Sequence, residues 1–219
     1  MCIRDRIGAI YINSCLLTQC TKSDLKIKSL PGSKSSCHTT ELSVVNSFTF
    51  MLSLLLKSVK WNDDWRGQSE DLYVLNSHPK IAKAFENRVN SALSEIQYSL
   101  PFKLTTSWFT KTQPYGSIGR HNHSNSFWSV VYYFHDNCGK LSFTKDIPAI
   151  NVDFKNKDHT TQMYGEVKFP AKKGHILLFP SILHHHLEIN NFDKERFSLA
   201  MNFMPSGMHH GQDSSYNFN

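Results

Sequence analysis

Gly174-His175-Ile176-Leu177-Leu178-Phe179-Pro180-Ser181-Ile182-Leu183-His184-His185-His186-Leu187, followed after a short loop by Arg196-Phe197-Ser198-Leu199-Ala200-Met201-Asn202-Phe203-Met204, decides how this chain is read. The first run is a glycine turn, a buried strand and a proline stop. In the second, side chains alternate across a strand. Arg196, Ser198, Ala200 and Asn202 share one face, and Phe197, Leu199, Met201 and Phe203 share the other. A cation at the head of a small polar face, backed by an apolar face, suits an anion pocket inside a β-barrel. The alternative is a surface strand with Arg196 in solvent.

Working outward, Lys103 to Thr110, Ser126 to Phe134, Lys140 to Thr144 and Gly165 to Phe169 also read as strands, with Gly116, Asn137-Gly139 and Lys173-Gly174 as punctuation. One helix stands ahead of them, from Pro79 to Gln97, with Ser77 or His78 as cap and Pro79 in its first turn. Its stripe is Ile81, Phe85, Val89, Ala92 and Ile96, a face expected to pack on a sheet. Residues 42–60 fit a strand or a helix equally. A helix followed by six or more short strands, without internal repeats, predicts a mainly β fold: a double-stranded β-helix, or jelly roll, with supporting helices.

The 219 residues suffice for one domain with a core. The expected organisation is a weakly structured or non-native segment over 1–40, a barrel domain with N-terminal helices over 41–205, and a flexible tail over 206–219. Met1-Cys2-Ile3-Arg4-Asp5-Arg6 is similar to a read-through that begins translations of environmental sequence. The net charge of +6 sits mostly in the first 60 residues, which hold 8 Lys/Arg against 3 Asp/Glu. The remainder holds 16 against 15 and shows no basic stripe, so nucleic-acid binding is not expected. No apolar run is long enough to span a bilayer, and Leu42 to Leu56 is broken by serine, asparagine and threonine. Cys2, Cys15, Cys20, Cys37 and Cys138 are odd in number and lack a Cys-x-x-Cys pair, which fits reduced thiols in the cytoplasm. Asn13-Ser14 interrupts the one apolar stretch near the start, against an export signal.

Two histidine clusters carry the chemistry. Neutral imidazole offers a ring nitrogen to a metal. In His121-Asn122-His123 both imidazoles can face the same side, giving a two-point chelate. A polar loop with exposed histidines is the other reading. In His184-His185-His186 the middle ring faces opposite to its neighbours on a strand, so at most one or two look inward.

The stretches Gly116 to Phe134 and Pro170 to Phe203 resemble iron(II)- and 2-oxoglutarate-dependent oxygenases, those of phages and marine bacteria most closely and prolyl hydroxylases more distantly. The marks are His121-x-His123, Ser129 to Phe134, Gly139-Lys140-Leu141, Gly174 through Ser181, His185 and Arg196-x-Ser198. The resemblance spans roughly residues 65–205. It implies that Fe(II) is held by His121, His123 and His185. It implies also that Arg196 meets the distal carboxylate of the co-substrate 2-oxoglutarate, with Ser198 and Tyr133 as hydrogen-bonding partners. No catalytic group is expected beyond the metal centre. The implied reaction couples decarboxylation of 2-oxoglutarate to hydroxylation of a small-molecule or peptidyl substrate.

His123 departs from the family, which places a carboxylate there. Glu188 is a candidate replacement. Val130 and His184 are milder departures, where relatives favour glycine and proline. Tyr115, Trp128 and residues 146–163 are candidates for the cavity mouth. Two rivals stand beside this reading. One is a cupin-like three-histidine metalloprotein, which should carry a glutamate four or five residues after His123 and does not. The other is a non-catalytic jelly-roll binding or structural module.

Overall fold

The computed structural model describes residues 3–4, 10–13, 49–62, 67–96, 98, 100–144, 166–211 and 213–218. Twelve strands occur among them, and two helices. The strands are β1 (Ile3–Arg4), β2 (Ile10–Asn13), β3 (Phe102–Thr112), β4 (Ile118–His121), β5 (Trp128–Tyr133), β6 (Lys140–Thr144), β7 (Glu166–Pro170), β8 (His175–Pro180), β9 (His185–Leu187), β10 (Arg196–Pro205), β11 (Gly207–His210) and β12 (Ser215–Phe218). Residues 49–57 form α1, which resolves the ambiguity over 42–60 in favour of helix for that part. Helix α2 is Pro79–Glu95, with His78 as N-cap and no side-chain capping bond.

A six-stranded sheet in the order β1-β2-β8-β5-β10-β3 faces a four-stranded sheet in the order β4-β9-β6-β7, and all the strand pairs in both are antiparallel. This is the jelly roll that the alternating runs predict.

Period-two alternation divides the core into two layers. Outward-facing Trp128, Val130 and Tyr132 of β5, Ile176 and Leu178 of β8, and Leu199, Met201 and Phe203 of β10 pack against the α2 stripe Ile81, Phe85, Val89 and Ala92. Inward-facing Tyr133, Leu177 and Phe179 meet Leu141, Phe143 and Leu187 of the small sheet. Polar links pin α2 to the start of β3: Asn90 both donates to and accepts from the Phe102 backbone, and Glu86 accepts from the Leu104 amide. Residues 67–75 run beside β3 through bridges Gln68↔Thr110 and Tyr73↔Ser107.

Two segments differ from expectation. Residues 10–13, within a stretch read as weakly structured, pair with β8 as part of the large sheet. Residues 206–219, read as a flexible tail, contain the hairpin β11–β12. Backbone pairing needs no apolar pattern, so composition concealed both. No described helix is long and apolar enough to cross a membrane. The excursion at 146–163 lies outside the described residues.

Candidate metal centre

His121 ends β4, His185 begins β9 directly opposite it, and His123 follows two residues after β4. The small sheet therefore brings two of the rings together by register. A backbone bond from the His123 amide to Ser181 O, 3.0 Å, holds the third against the large sheet. Ring centroids lie 4.3 Å apart for His121–His185, 5.1 Å for His123–His185 and 5.4 Å for His121–His123. The candidate ligand atoms are all within 4.8 Å of one another. Three nitrogens bound to one ion at about 2.1 Å lie about 3.0–3.6 Å apart, so side-chain rotations that move ring nitrogens by about an ångström close the site.

The hydrogen bonds select one nitrogen on each ring. His121 Nδ1 lies 2.8 Å from Gly119 O, and His185 Nδ1 lies 2.9 Å from Leu183 O. A carbonyl only accepts, so each Nδ1 carries the proton and each Nε2 keeps its lone pair. His123 Nδ1 is 2.8 Å from the Asn202 side-chain oxygen, with the same consequence. Burial runs from exposed His121 through half-buried His123 to His185 at 3 % exposure. Burial pushes the His185 pKa down to about 3, against a raising contribution from the bond to Leu183, and burial likewise lowers His123. Both rings are held neutral, the form that binds metal. These donors suit a divalent ion of intermediate hardness.

Arg196 opens β10 at the other pole of the same cavity, 3 % exposed. Its guanidinium donates to Cys138 O and, at 3.4 Å, to Glu188 O, while Nε is buried without a partner. Among the described residues it makes no ion pair. Gly139 makes room for it: φ is 101°, and a Cβ there would strike the guanidinium. Thr110 and Ser198 share a 2.5 Å hydroxyl contact across β3 and β10, and Tyr133 lies on the next strand opposite Ser198. Asn190, fully buried, fastens the loop before β10 through three donor bonds to Thr112, Gln113 and Lys194 carbonyls.

The cavity joining the two poles has a volume of about 780 Å³. All three histidines line it, as do Arg196, Ser198 and Tyr133, so the six residues implied for metal and co-substrate face one space. No Asp or Glu is among the described residues around it.

The model of the family described as "Putative 2OG-Fe(II) oxygenase" matches residues 106–202, which run from β3 to the inner face of β10 and contain both poles. Over this stretch, 97 of the 219 residues, the chain is similar to the 2OG-Fe(II) oxygenase family. No curated protein matches the chain by sequence. Among solved structures, the chain is similar to the non-heme alpha-ketoglutarate-dependent epimerase SnoN from nogalamycin biosynthesis. That match has a TM-score of 0.58 at 12% identity, covering 95% of this chain and 83% of SnoN. It is similar also to HygX from Streptomyces hygroscopicus, solved with nickel and 2-oxoglutarate, with a TM-score of 0.52 at 12% identity, covering 73% and 78%. At such identity these matches speak for the fold.

Several neighbours of the site separate from it. Glu188 points to the outer face of the small sheet, where it bonds Lys168 at 2.7 Å and Ser142 at 3.3 Å, so it does not complete the ligand set. His186 is on that outer face too, 3.3 Å from Glu166. Trp128 is buried in the outer core and Tyr115 is 80 % exposed; neither lines the cavity. The tryptophan that does is Trp108, whose ring is 5.6 Å from that of His123. Asn202 and Ser129, which contact His123, are the functional residues that sequence reasoning passed over. Only the placement of Asn202 on the Arg196 face pointed to it.

Proposed function

We propose that the chain is an Fe(II)- and 2-oxoglutarate-dependent oxygenase in which His121, His123 and His185 hold the metal, and Arg196 with Tyr133 and Ser198 holds the co-substrate. One observation carries the reading. A buried guanidinium without a carboxylate partner among the described residues faces the same cavity as three imidazoles whose Nδ1 atoms are engaged in hydrogen bonds, which leaves Nε2 for a metal. A buried cation is stable only when compensated, and a dicarboxylate spanning the poles supplies that compensation.

When bound, iron and 2-oxoglutarate supply the activation of dioxygen, with release of carbon dioxide and succinate and oxidation of a substrate. The chain's residues bind and orient. Arg196 meets the distal carboxylate through its fork of donors, and the Thr110–Ser198 hydroxyl pair offers a further hydrogen bond. Val131, Leu141 and Ala171 wall the pocket with apolar surface and exclude water around it. Three neutral ligands leave the metal's double charge undiminished, so the dianionic co-substrate contributes more of the charge balance here than beside a carboxylate ligand. The substrate is a small molecule or peptidyl group reaching the metal past Trp108. A cytoplasmic location belongs to the same proposal, supported by Cys138 as a buried free thiol.

The test is 2-oxoglutarate binding to the iron-loaded protein under anaerobic conditions, followed by succinate formation on admitting oxygen. Arg196→Ala should weaken co-substrate binding by about 2–5 kcal/mol while sparing metal affinity. Equal 2-oxoglutarate binding by the wild type and Arg196→Ala would refute the assignment.

A further inference from the structure

His121 and His185 are oriented locally. Each gives its Nδ1–H to a backbone carbonyl two residues earlier in its own segment. His123 has no such carbonyl. Its Nδ1 meets two side chains instead, the Asn202 oxygen at 2.8 Å and Ser129 Oγ at 3.1 Å, from β10 and β5. These two residues face each other across the β5–β10 register, and a bulge follows directly between Asn202 and Phe203.

We propose that Asn202, backed by Ser129, is a positioning residue that fixes the tautomer and direction of His123 and so makes a third imidazole serve where a carboxylate would otherwise stand. The proposal rests on His123 being a metal ligand. A carboxylate ligand needs no tautomer, because its two oxygens are equivalent acceptors. An imidazole binds only through an unprotonated nitrogen, so a group must choose which nitrogen that is. The Asn202 oxygen can only accept, and it assigns the proton to Nδ1 and the lone pair to Nε2.

The oxygen is itself fixed. Ser129 Oγ lies 3.0 Å from it and 2.8 Å from Ser181 Oγ and shares its single proton between these two acceptors, while Ser181 donates to Ser126 at 2.7 Å and Ser126 donates to Trp128 O at 3.0 Å. Ser129 and Ser181 are buried, at 1 % and 0 % exposure. A chain of buried hydroxyls ending on a ring nitrogen is costly unless every member is satisfied, and here each has a partner. Histidine at 123 is thus matched by groups on two other strands and the loop after β8, which a vestigial ligand position would not need.

The experiment uses the full chain loaded with Co(II). Paramagnetic proton spectra in H2O and D2O should show three shifted, exchangeable imidazole N–H signals for the wild type. Asn202→Leu should lose one of them and bind Co(II) about 10–100-fold more weakly, the usual cost of removing a ligand's hydrogen-bonding partner. Asn202→Asp, which keeps an acceptor, should retain three signals and an affinity near that of the wild type. Ser129→Ala should give a smaller loss in the same direction. Three signals and unchanged affinity in Asn202→Leu would overturn the proposal alone, provided that His123→Ala weakens binding. Unchanged affinity in His123→Ala would overturn the ligand assignment and the proposal together.

Discussion

The two faces of the small sheet use similar residues to opposite ends. On the inner face His185 sits with Phe143, Phe179 and Leu187, neutral and nearly out of reach of water. One residue on, His186 joins Glu166, Lys168 and Glu188 on the outer face, where Lys168 bridges the two carboxylates at 3.1 and 2.7 Å. Adjacent histidines thus experience different surroundings because the pleat turns one inward and the next outward. The inner face withholds carboxylates from its imidazoles and cation, and the outer face supplies them in excess. What distinguishes a candidate ligand from a surface histidine is therefore the side of the sheet, not the residue type or its place in a triplet.

The sharpest way to break that contrast is to exchange histidines across it. His185→Ala should abolish metal binding, a larger loss than the roughly 10–100-fold expected for removing an outer partner of a ligand. His184→Ala and His186→Ala should keep it; calorimetric titration of Co(II) into the three variants would decide, and equal losses would contradict the inward–outward division. A smaller effect is expected at the opposite pole. Gly139→Ala places a methyl group against the Arg196 guanidinium at a left-handed φ of 101° and should weaken 2-oxoglutarate binding by about 1–3 kcal/mol, with metal affinity retained.

The inner face also carries a pH signature. His185 has a folded pKa of about 3, well below the ordinary 6.5, so the unfolded chain binds the additional proton between those values. Stability of the metal-free protein should therefore fall as pH drops from about 6.5 toward 3, with a slope of at most about 1.4 kcal/mol per pH unit from this residue. Urea unfolding at several pH values would measure it, and His185→Phe should flatten the dependence. The smallest effect belongs outside. Glu166→Gln breaks contacts to Lys168 and His186 in solvent-screened positions, and should change stability slightly at low salt and not at all at high salt. A change in metal affinity there would show that the faces communicate.

Much of the fold was legible because its signals are local. The apolar stripe of α2, the continuous apolar run of β8 and the alternation of β10 each follow from backbone periodicity, and the structure keeps them as read. Arg196 could be placed at the head of a polar inner face because parity along one strand needs no knowledge of any other strand. Trp128 and Glu188 were misread as potential site residues for the complementary reason. Parity says which residues share a face, but only packing says which face meets the cavity. Trp128 shares its face with Val130 and Tyr132 against α2, and the cavity receives Trp108 from β3 instead.

By itself, the sequence determined strands β3, β5, β6, β7, β8 and β10, the helix α2 that backs them, the two histidine clusters and the cation that follows. Those are set by side-chain periodicity within single segments. The tertiary structure alone decided that His121 stands opposite His185, that Asn202 stands opposite Ser129 and reaches His123, and that Gly139 yields space to Arg196. Each of these depends on register between strands far apart in the chain, which long-range pairing of buried faces fixes and no local pattern encodes.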